Sequence, residues 1–503
     1  MPKALNTMII ELSPAAAGST HDDLLAVPFF EGTAGPDPGP GAEGAARAVG
    51  ADLTGLLARQ GFRGRPGDTA TVAVPGSGPR RVMAVGVGPA AGAGPAEVRD
   101  AAQRVATLAA GSVRVATTLG LLGPDRPGAL RAAAEGFLLG GYRVPRTGRQ
   151  PVTGPPPAPP ETLTLLTGDA GGELRDALAR GIVTGQMASW VRDLVHAPAA
   201  AATPEMLAET IAARAAEHGA AARIWTAEEL AREGFGGVVG VGQGSRNSPR
   251  LVEVTHAGPG GRQLAFAGKG ITFDSGGLNL KRDPGEISWM RSDMAGGAAV
   301  AAAVIAAARL ALPVPAVAVV PLAENMPGGG ALRPGDVLTH RGGRTSEVID
   351  TDSEGRLVVA DALGYLAERS PAALIDVATL TDAAGLGPAL WAATGTDQDL
   401  MAGLLAAGEA AGEPGWQLPL PDAYRELLSS AAADVRNTPA HGPDSTVMAA
   451  IFLREFAAGL PWVHIDNGST AWLEYDTGLW PEGATGSPAR ALLRFLEARA
   501  AGS

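Results

Sequence analysis

The sequence predicts an α/β fold in two domains: a smaller N-terminal α/β domain over residues 1–170 and a larger C-terminal α/β domain over 171–503, the latter with a central mixed, largely parallel sheet. Three observations carry this expectation. The chain has 503 residues, more than one ordinary hydrophobic core accommodates. Apolar runs of strand length alternate with helix-period stretches, the pattern of strands joined by crossover helices. A proline-rich segment, PVTGPPPAPPE (151–161), interrupts that alternation, as a stiff loop does.

Taken in order, ATVAVP (70–75) and RRVMAVGVG (80–88) are expected strands, and PAEVRDAAQRVATLAA (95–110) an amphipathic helix. TLTLLT, after the proline run, closes the first domain. The boundary is placed near 170, before a long linking helix, GELRDALARGIVTGQMASWVRDLV (172–195). In the second domain RQLAFAG (262–268), VPAVAVVPLA (314–323), AALIDVATL (372–380) and WVHID (462–466) read as strands. Segments 294–311, 401–411 and 446–458 read as helices. In such sheets functional groups gather where strands end.

Composition narrows the function. Hydrophobic residues make up 46% of the chain and charged residues 18%, as in folded globular proteins. The net charge of −12 argues against broad contact with a phosphate backbone, so a nucleic-acid partner is not expected. The absence of cysteine excludes disulfides, thiolate metal sites and a Cys nucleophile. The N-terminal apolar run is too short for a signal peptide. The most membrane-like stretch, MAGGAAVAAAVIAAARLAL (294–312), is mostly Ala and Gly, and reads as a buried helix rather than a span. A soluble cytoplasmic protein is expected.

Only three of the 40 basic residues are lysine, namely Lys3, Lys269 and Lys281. Two of them flank an aspartate in AGKGITFDSGGLNLK (267–281). This glycine-rich region offers Lys269, Asp274, Lys281 and Asp293. A second cluster, VIDTDSEGRLVVADAL (348–363), offers Asp352, Glu354 and Arg356 at alternate positions, which share one face if the backbone is extended. Four carboxylates and an amine suit an oxygen-rich binuclear metal site for hard divalent cations or zinc. A competing reading treats DTDSEGRLVVAD as a calcium loop, with Gly355 at its turn and Asp361 at its last position, where such loops carry Glu. GKG lacks the P-loop spacing, GVGQGS (240–245) lacks the full dinucleotide spacing, and Ser275 lacks a nucleophile elbow. The seven histidines show no paired ligand spacing and read as structural.

The blocks GKGITFDSGGLNLK, SDMAGGAA, AENMPGGGALRPGDV, DTDSEGRLVVADAL, DVATLT and EGATGSP resemble the leucyl aminopeptidase, or cytosol aminopeptidase, family across most of residues 190–490. Residues 1–170 match it weakly. The resemblance implies a two-metal exopeptidase acting on peptides with a free N-terminus, with Leu, Met and similar first residues preferred and no covalent intermediate. It implies a homo-hexamer built as a dimer of trimers, with the N-terminal domain serving oligomerisation or regulation. Lys269, Asp274, Asp293, Asp352 and Glu354 would hold two divalent ions, zinc or manganese before magnesium or cobalt. Lys281 and Arg356 would be the catalytic pair, Arg356 holding a bicarbonate. Met290, Thr379 and Leu380 would line the substrate pocket.

Three positions depart from the family pattern. Asp350 and His196 each stand where Asn is usual, and Asp382 stands where Gly is usual beside the pocket. A carboxylate at 382 implies a narrower pocket, or one favouring polar or basic first residues. Arginine stays protonated, whereas a lysine desolvated beside dications can bind as the neutral amine. That is a chemical reason for Lys269 to be lysine in an arginine-rich chain. Two other function classes stay open: a DNA-binding regulator and a non-catalytic metal- or calcium-binding scaffold.

Overall fold

The computed structural model describes residues 8–76, 78–145, 157–439, 441–442 and 444–502. Lys3 and residues 151–156 of the proline-rich stretch lie outside them. The chain packs as two units that divide between Ser189 and Trp190. The division falls inside the helix Gly172–His196, whereas the sequence places the boundary near 170. The first turns of this helix explain the difference: Ala177 and Leu178 are part of the hydrophobic core of the N-terminal unit.

The N-terminal unit is a seven-stranded sheet. Its strands Ile9–Ser13, Thr162–Leu166, Arg114–Thr117, Leu24–Glu31 and Arg81–Gly86 lie side by side and parallel. Thr69–Ala73 closes one edge antiparallel. The expected strands at 70–75, 80–88 and 162–167 are all present, as is the helix at 95–110, found as Pro95–Leu108. That helix packs against Arg126–Gly141 so closely that a Cβ on Gly136 would stand 2.2 Å from the Arg99 carbonyl oxygen. Only glycine allows two backbones to approach in this way.

The second unit is built on a nine-stranded mixed sheet. Four parallel strands form its centre: Pro315–Asn325, Leu264–Gly268, Ala373–Ala378 and Trp462–Asp466. Antiparallel strands Arg250–Ala257 and Trp391–Gly395 flank them. All four centre strands are nearly wholly buried, which accounts for their largely apolar sequences; the exceptions, Glu324, Asn325, Asp376, His464 and Asp466, are buried polar groups. The Ala/Gly-rich segment forms the helix Ala295–Arg309, buried from Ala295 to Ala307 and packed on the sheet. Its small side chains allow that close seat; a Cβ on Gly296 would meet the Val377 carbonyl oxygen at 2.2 Å. Among the described residues no helix is long and apolar enough to cross a membrane.

Candidate active site at the strand ends

The strand Leu264–Gly268 breaks at Lys269 and resumes as Gly270–Asp274, both halves pairing in parallel with Pro315–Asn325. Lys269 sits at this break, at the carboxyl end of the central strands, its amide still donating to the Val377 carbonyl. Asn325 ends its own strand there, and Thr379 follows the end of Ala373–Ala378. Two helices begin at the same place. Asp293 stands two residues ahead of the helix Ala295–Arg309, and Glu354 caps Gly355–Ala367. The positive ends of both helix dipoles thus face the carboxylates.

A cleft of about 550 Å³ opens over these ends. It is lined by Lys269, Asp274, Lys281, Met290, Asp293, Asp352, Thr379, Leu380 and Asp382, among others. Nine of the eleven residues singled out in the sequence therefore share one cavity. Glu354 is buried and joins them through Lys269, whose Nζ lies 2.9 Å from Glu354 Oε1 and 2.8 Å from Asp293 Oδ1. The same ammonium donates to the Thr379 carbonyl at 2.8 Å. A Cβ on residue 355 would stand 2.5 Å from Lys269 Nζ, so Gly355 is required for that approach. Lys281 Nζ bridges Asp352 Oδ1 at 2.8 Å and Asp274 Oδ2 at 3.0 Å. Gly276 and Gly277, both at positive φ, fold the DSGG turn back so that the Lys281 amide bonds the Ser275 carbonyl.

Electrostatically the site is over-supplied with carboxylates. Asp274, Asp352 and Glu354 each place one oxygen within 4.8 Å of the others. Burial, followed by the Asp274 charge, pushes Asp352 up to about 7. Burial likewise holds Asp293 and Glu354 above the usual carboxylate range. Burial alone would lower the lysines, but Asp293 and Glu354 outweigh it at Lys269, and Asp274 and Asp352 at Lys281, so both ammonium groups are held above their ordinary values. Asp293 Oδ2 is buried without a hydrogen-bond partner. Asp352 Oδ1 and Glu354 Oε1 meet lysines at ion-pair distance without hydrogen-bond geometry. Buried acceptors are rarely left so. Hard-oxygen donors, like charges pressed together and unsatisfied lone pairs all fit a cation-binding centre.

Two expectations need correction. The alternate spacing of 352, 354 and 356 does not put three side chains on one extended face, because Glu354 is already helical (φ −78°, ψ −31°). Asp352 and Glu354 still converge, but Arg356 turns away. Its guanidinium, 1% exposed, donates through Nη1 and Nη2 to the two oxygens of Asp444 at 3.0 and 2.6 Å, and to the Asn437 carbonyl at 2.6 Å. The calcium-loop reading fails too: Asp361 accepts from the amides of Val238 and Arg341 and pairs with His340. It has no oxygen in the site.

Sequence reasoning missed Asn325, whose Nδ2 donates to Asp274 Oδ1 at 2.8 Å and to the Thr351 carbonyl at 2.9 Å. The polar pair Glu324–Asn325 ending a buried apolar strand was the available signal. Thr379 Oγ1 donates to Asp293 Oδ1 at 2.7 Å, fixing that carboxylate. Of the departures, Asp382 is exposed at the cleft. His196 is buried, its Nε2 accepting from the Ala484 amide and its ring against Trp472. Asp350 accepts from the Asp352 amide through Oδ1 at 2.9 Å, so it shapes the turn that carries Asp352.

Comparison with known proteins agrees with this geometry. Residues 189–493 match the model of the cytosol aminopeptidase family, catalytic domain, and residues 26–150 that of the family's N-terminal domain. The weak match read from the sequence over 1–170 thus becomes a definite one. A probable cytosol aminopeptidase of Streptomyces coelicolor is 38% identical over 98% of this chain and 99% of its own length. One from Syntrophotalea carbinolica is 44% identical over 73% of this chain and 75% of its own. Among solved structures, the bottromycin maturation enzyme BotP in complex with Mn superimposes with TM-score 0.83 at 36% identity, covering 95% of this chain and 100% of that one. A mutant of tomato leucine aminopeptidase gives TM-score 0.84 at 28% identity, covering 98% and 96%. Matched by both family models, this chain belongs to the cytosol aminopeptidase family and is a metal-dependent aminopeptidase, a hydrolase of peptides.

Proposed function

We propose that the chain removes single N-terminal residues, Leu and Met before others, through a binuclear centre held by Lys269, Asp274, Asp293, Asp352 and Glu354. The observation that carries this is the cluster of four carboxylates, three of them with a buried oxygen that lacks a hydrogen bond, at a cleft that also holds Lys281. Divalent cations held by these residues would lower the pKa of a bound water from ~15.7 to ~7 and so would supply the nucleophile at neutral pH. Manganese in the BotP structure supports manganese; zinc, magnesium and cobalt suit the same donors.

The chain's own residues do the rest. Lys281 presents a fixed positive charge where the oxyanion of the tetrahedral intermediate develops. Met290, Thr379 and Leu380 seat the first side chain, with Asp382 at its mouth. No protein nucleophile is needed. A hexamer of two trimers in the cytoplasm is the setting the family resemblance favours. Bicarbonate at Arg356 belongs to the same reading: Asp444 takes Nη1 and Nη2, and the buried Nε is left without a hydrogen-bond partner.

The deciding assay compares leucyl amide with its N-acetylated form, with and without chelator. The free-amine substrate alone should be hydrolysed, and chelation should abolish turnover. Equal cleavage of both would sink an amine-anchored exopeptidase. Tight metal binding with no turnover of either would favour a binding scaffold.

A further inference from the structure

Beside the cleft, in the same unit, lies a second cavity of about 280 Å³. Leu473 and Pro388 line both spaces, so these two side chains form the division between them. Each belongs to a segment that already serves the cleft. Leu473 lies in the short strand Trp472–Leu473, pinned by its pairing with Gly483–Ala484, and its neighbours Trp472, Glu474 and Tyr475 line the cleft. Pro388 follows Asp382 on the loop that leads into Trp391–Gly395.

The walls of the cavity indicate its guest. Ala389, Pro414, Leu473 and Trp480 give it apolar faces. Its charged residues are matched to each other and to backbone: Arg490 Nε donates to Glu413 Oε1 at 3.0 Å and Nη1 to the Ala411 carbonyl at 2.7 Å, while Glu413 Oε2 accepts from the Ala491 amide at 2.9 Å. Thr485 Oγ1 donates to the Thr470 carbonyl at 2.6 Å, and Thr477 Oγ1 accepts from the Trp480 amide at 3.1 Å. A neutral, apolar guest suits such a wall better than an ion. The guanidinium carbons of Arg192 and Arg490 lie 5.6 and 5.5 Å from the Trp480 ring centroid, holding the indole as a flat aromatic wall. A cavity of ~150 Å³ is enough for benzene. The space here takes a phenyl or indole ring, with Trp480 as its stacking partner.

We propose that this cavity is a reserve pocket for an aromatic ring behind the seat of the first side chain, and that Leu473 is the specificity-determining partition that bars it. This rests on the aminopeptidase reading above. Leu473 is 4% exposed, so it fills the division rather than swinging free in it. First side chains that end short of it, such as Leu and Met, fit the cleft as it stands. Shortening residue 473 joins the two spaces and lets Phe or Trp reach through, without touching the carboxylate cluster or Lys281.

The test uses the full-length, metal-loaded enzyme and compares kcat/KM for leucyl, phenylalanyl and tryptophanyl amides. Leu473→Ala should raise the aromatic-to-leucyl ratio roughly tenfold or more, the scale on which a methylene-sized change in a hydrophobic pocket discriminates. Leu473→Val, a milder deletion that keeps the test alive if the alanine variant does not fold, should raise it by a smaller factor. Adding Ala389→Trp, which fills the cavity from its exposed side, should cancel either gain. In parallel, fluorine NMR of fluoroindole should show a bound ring on the wild type and not on Ala389→Trp, a readout independent of turnover. The inference is overturned if folded Leu473→Ala and Leu473→Val, checked by thermal melting, leave the ratio unchanged, or if Ala389→Trp leaves the gain intact. It is also overturned if fluoroindole does not distinguish the wild type from Ala389→Trp. Hydrolysis of none of the three amides by the wild type would instead refute the aminopeptidase reading itself.

Discussion

Two buried polar clusters lie in the same unit, and their contrast separates a binding site from a structural one. In the first, four carboxylates crowd around two lysines with acceptor atoms left over. In the second, His340 sits between Asp361 (Nδ1 to Oδ1, 3.0 Å) and Ser346 (Nε2 to Oγ, 2.7 Å). That Ser–His–Asp chain has the connectivity of a hydrolase triad. Yet all three residues are at most 1% exposed, and His340 packs edge-on against Phe456. Asp361 takes two further bonds from the amides of Val238 and Arg341. It thereby ties the loop at 340–341 and the helix Gly236–Gly242 to Gly355–Ala367. The triad-like cluster is satisfied and closed, while the acidic cluster is unsatisfied and open to a cleft. Residue types that spell catalysis thus do structural work where every polar atom is matched, and the frustrated cluster is the functional one.

The comparison is sharpened most by replacing a single residue in the acidic cluster. Lys269→Arg should remove one metal per chain, or most of the affinity for it, together with activity, because a guanidinium has no lone pair to donate. Elemental analysis of the purified variant measures this; two metals bound with wild-type affinity would exclude lysine as a ligand. Lys281→Arg should keep both metals and lose ~10²–10³ in kcat, the effect of displacing one oxyanion donor.

In the closed cluster the expected signature reverses. Asp361→Ala should destabilise the fold by roughly 3–5 kcal/mol, since it strips a buried histidine and two amides of their partner. The kcat of the molecules that remain folded should be nearly unchanged. Denaturant titration beside active-site-normalised kinetics separates the two effects, and a collapse of kcat without loss of stability would reverse the assignment.

A smaller effect belongs to His196. Burial, and then the charges of Arg192 and Arg291, push its pKa down from 6.5 to about 3. Its folded form is therefore the neutral ring, whereas the unfolded chain binds a proton below about pH 6.5. The contribution to stability is complete above that pH and is lost as pH falls toward 3, at about 1.4 kcal/mol per pH unit. His196→Asn should flatten the fall in unfolding free energy across this window while leaving kcat at neutral pH unchanged; parallel wild-type and variant curves would rule the linkage out.

The smallest expected change is at Asp382, exposed at the cleft. Asp382→Gly should shift kcat/KM toward large apolar first residues and away from Lys and Arg by a few-fold, on the order of 1 kcal/mol. Unchanged ratios across Leu, Lys and Arg substrates would show that this carboxylate does not meet the first side chain.

Much of this protein was legible in the sequence because it is written locally. The mostly apolar strands at 264–268, 315–325, 373–378 and 462–466 reflect burial on both sheet faces, which disfavours a regular polar alternation. The grouping of Lys269, Asp274, Lys281, Asp293, Asp352 and Glu354 was legible because each lies beside a strand end or helix start that its own neighbours specify. The direction of Arg356 was not. It depends on Glu354, the cap of Gly355–Ala367, already having helical backbone angles, so that a spacing of two no longer means a shared face. It depends equally on a carboxylate 88 positions away in the chain. The pairing of His340 with Asp361 and Ser346, the roles of Asn325 and Asp444, and the division of the long helix between two units were settled in the same way. Local sequence determines which elements form and which faces they bury. Which buried charges meet is decided by long-range packing, because desolvation makes a distant partner worth as much as a near one.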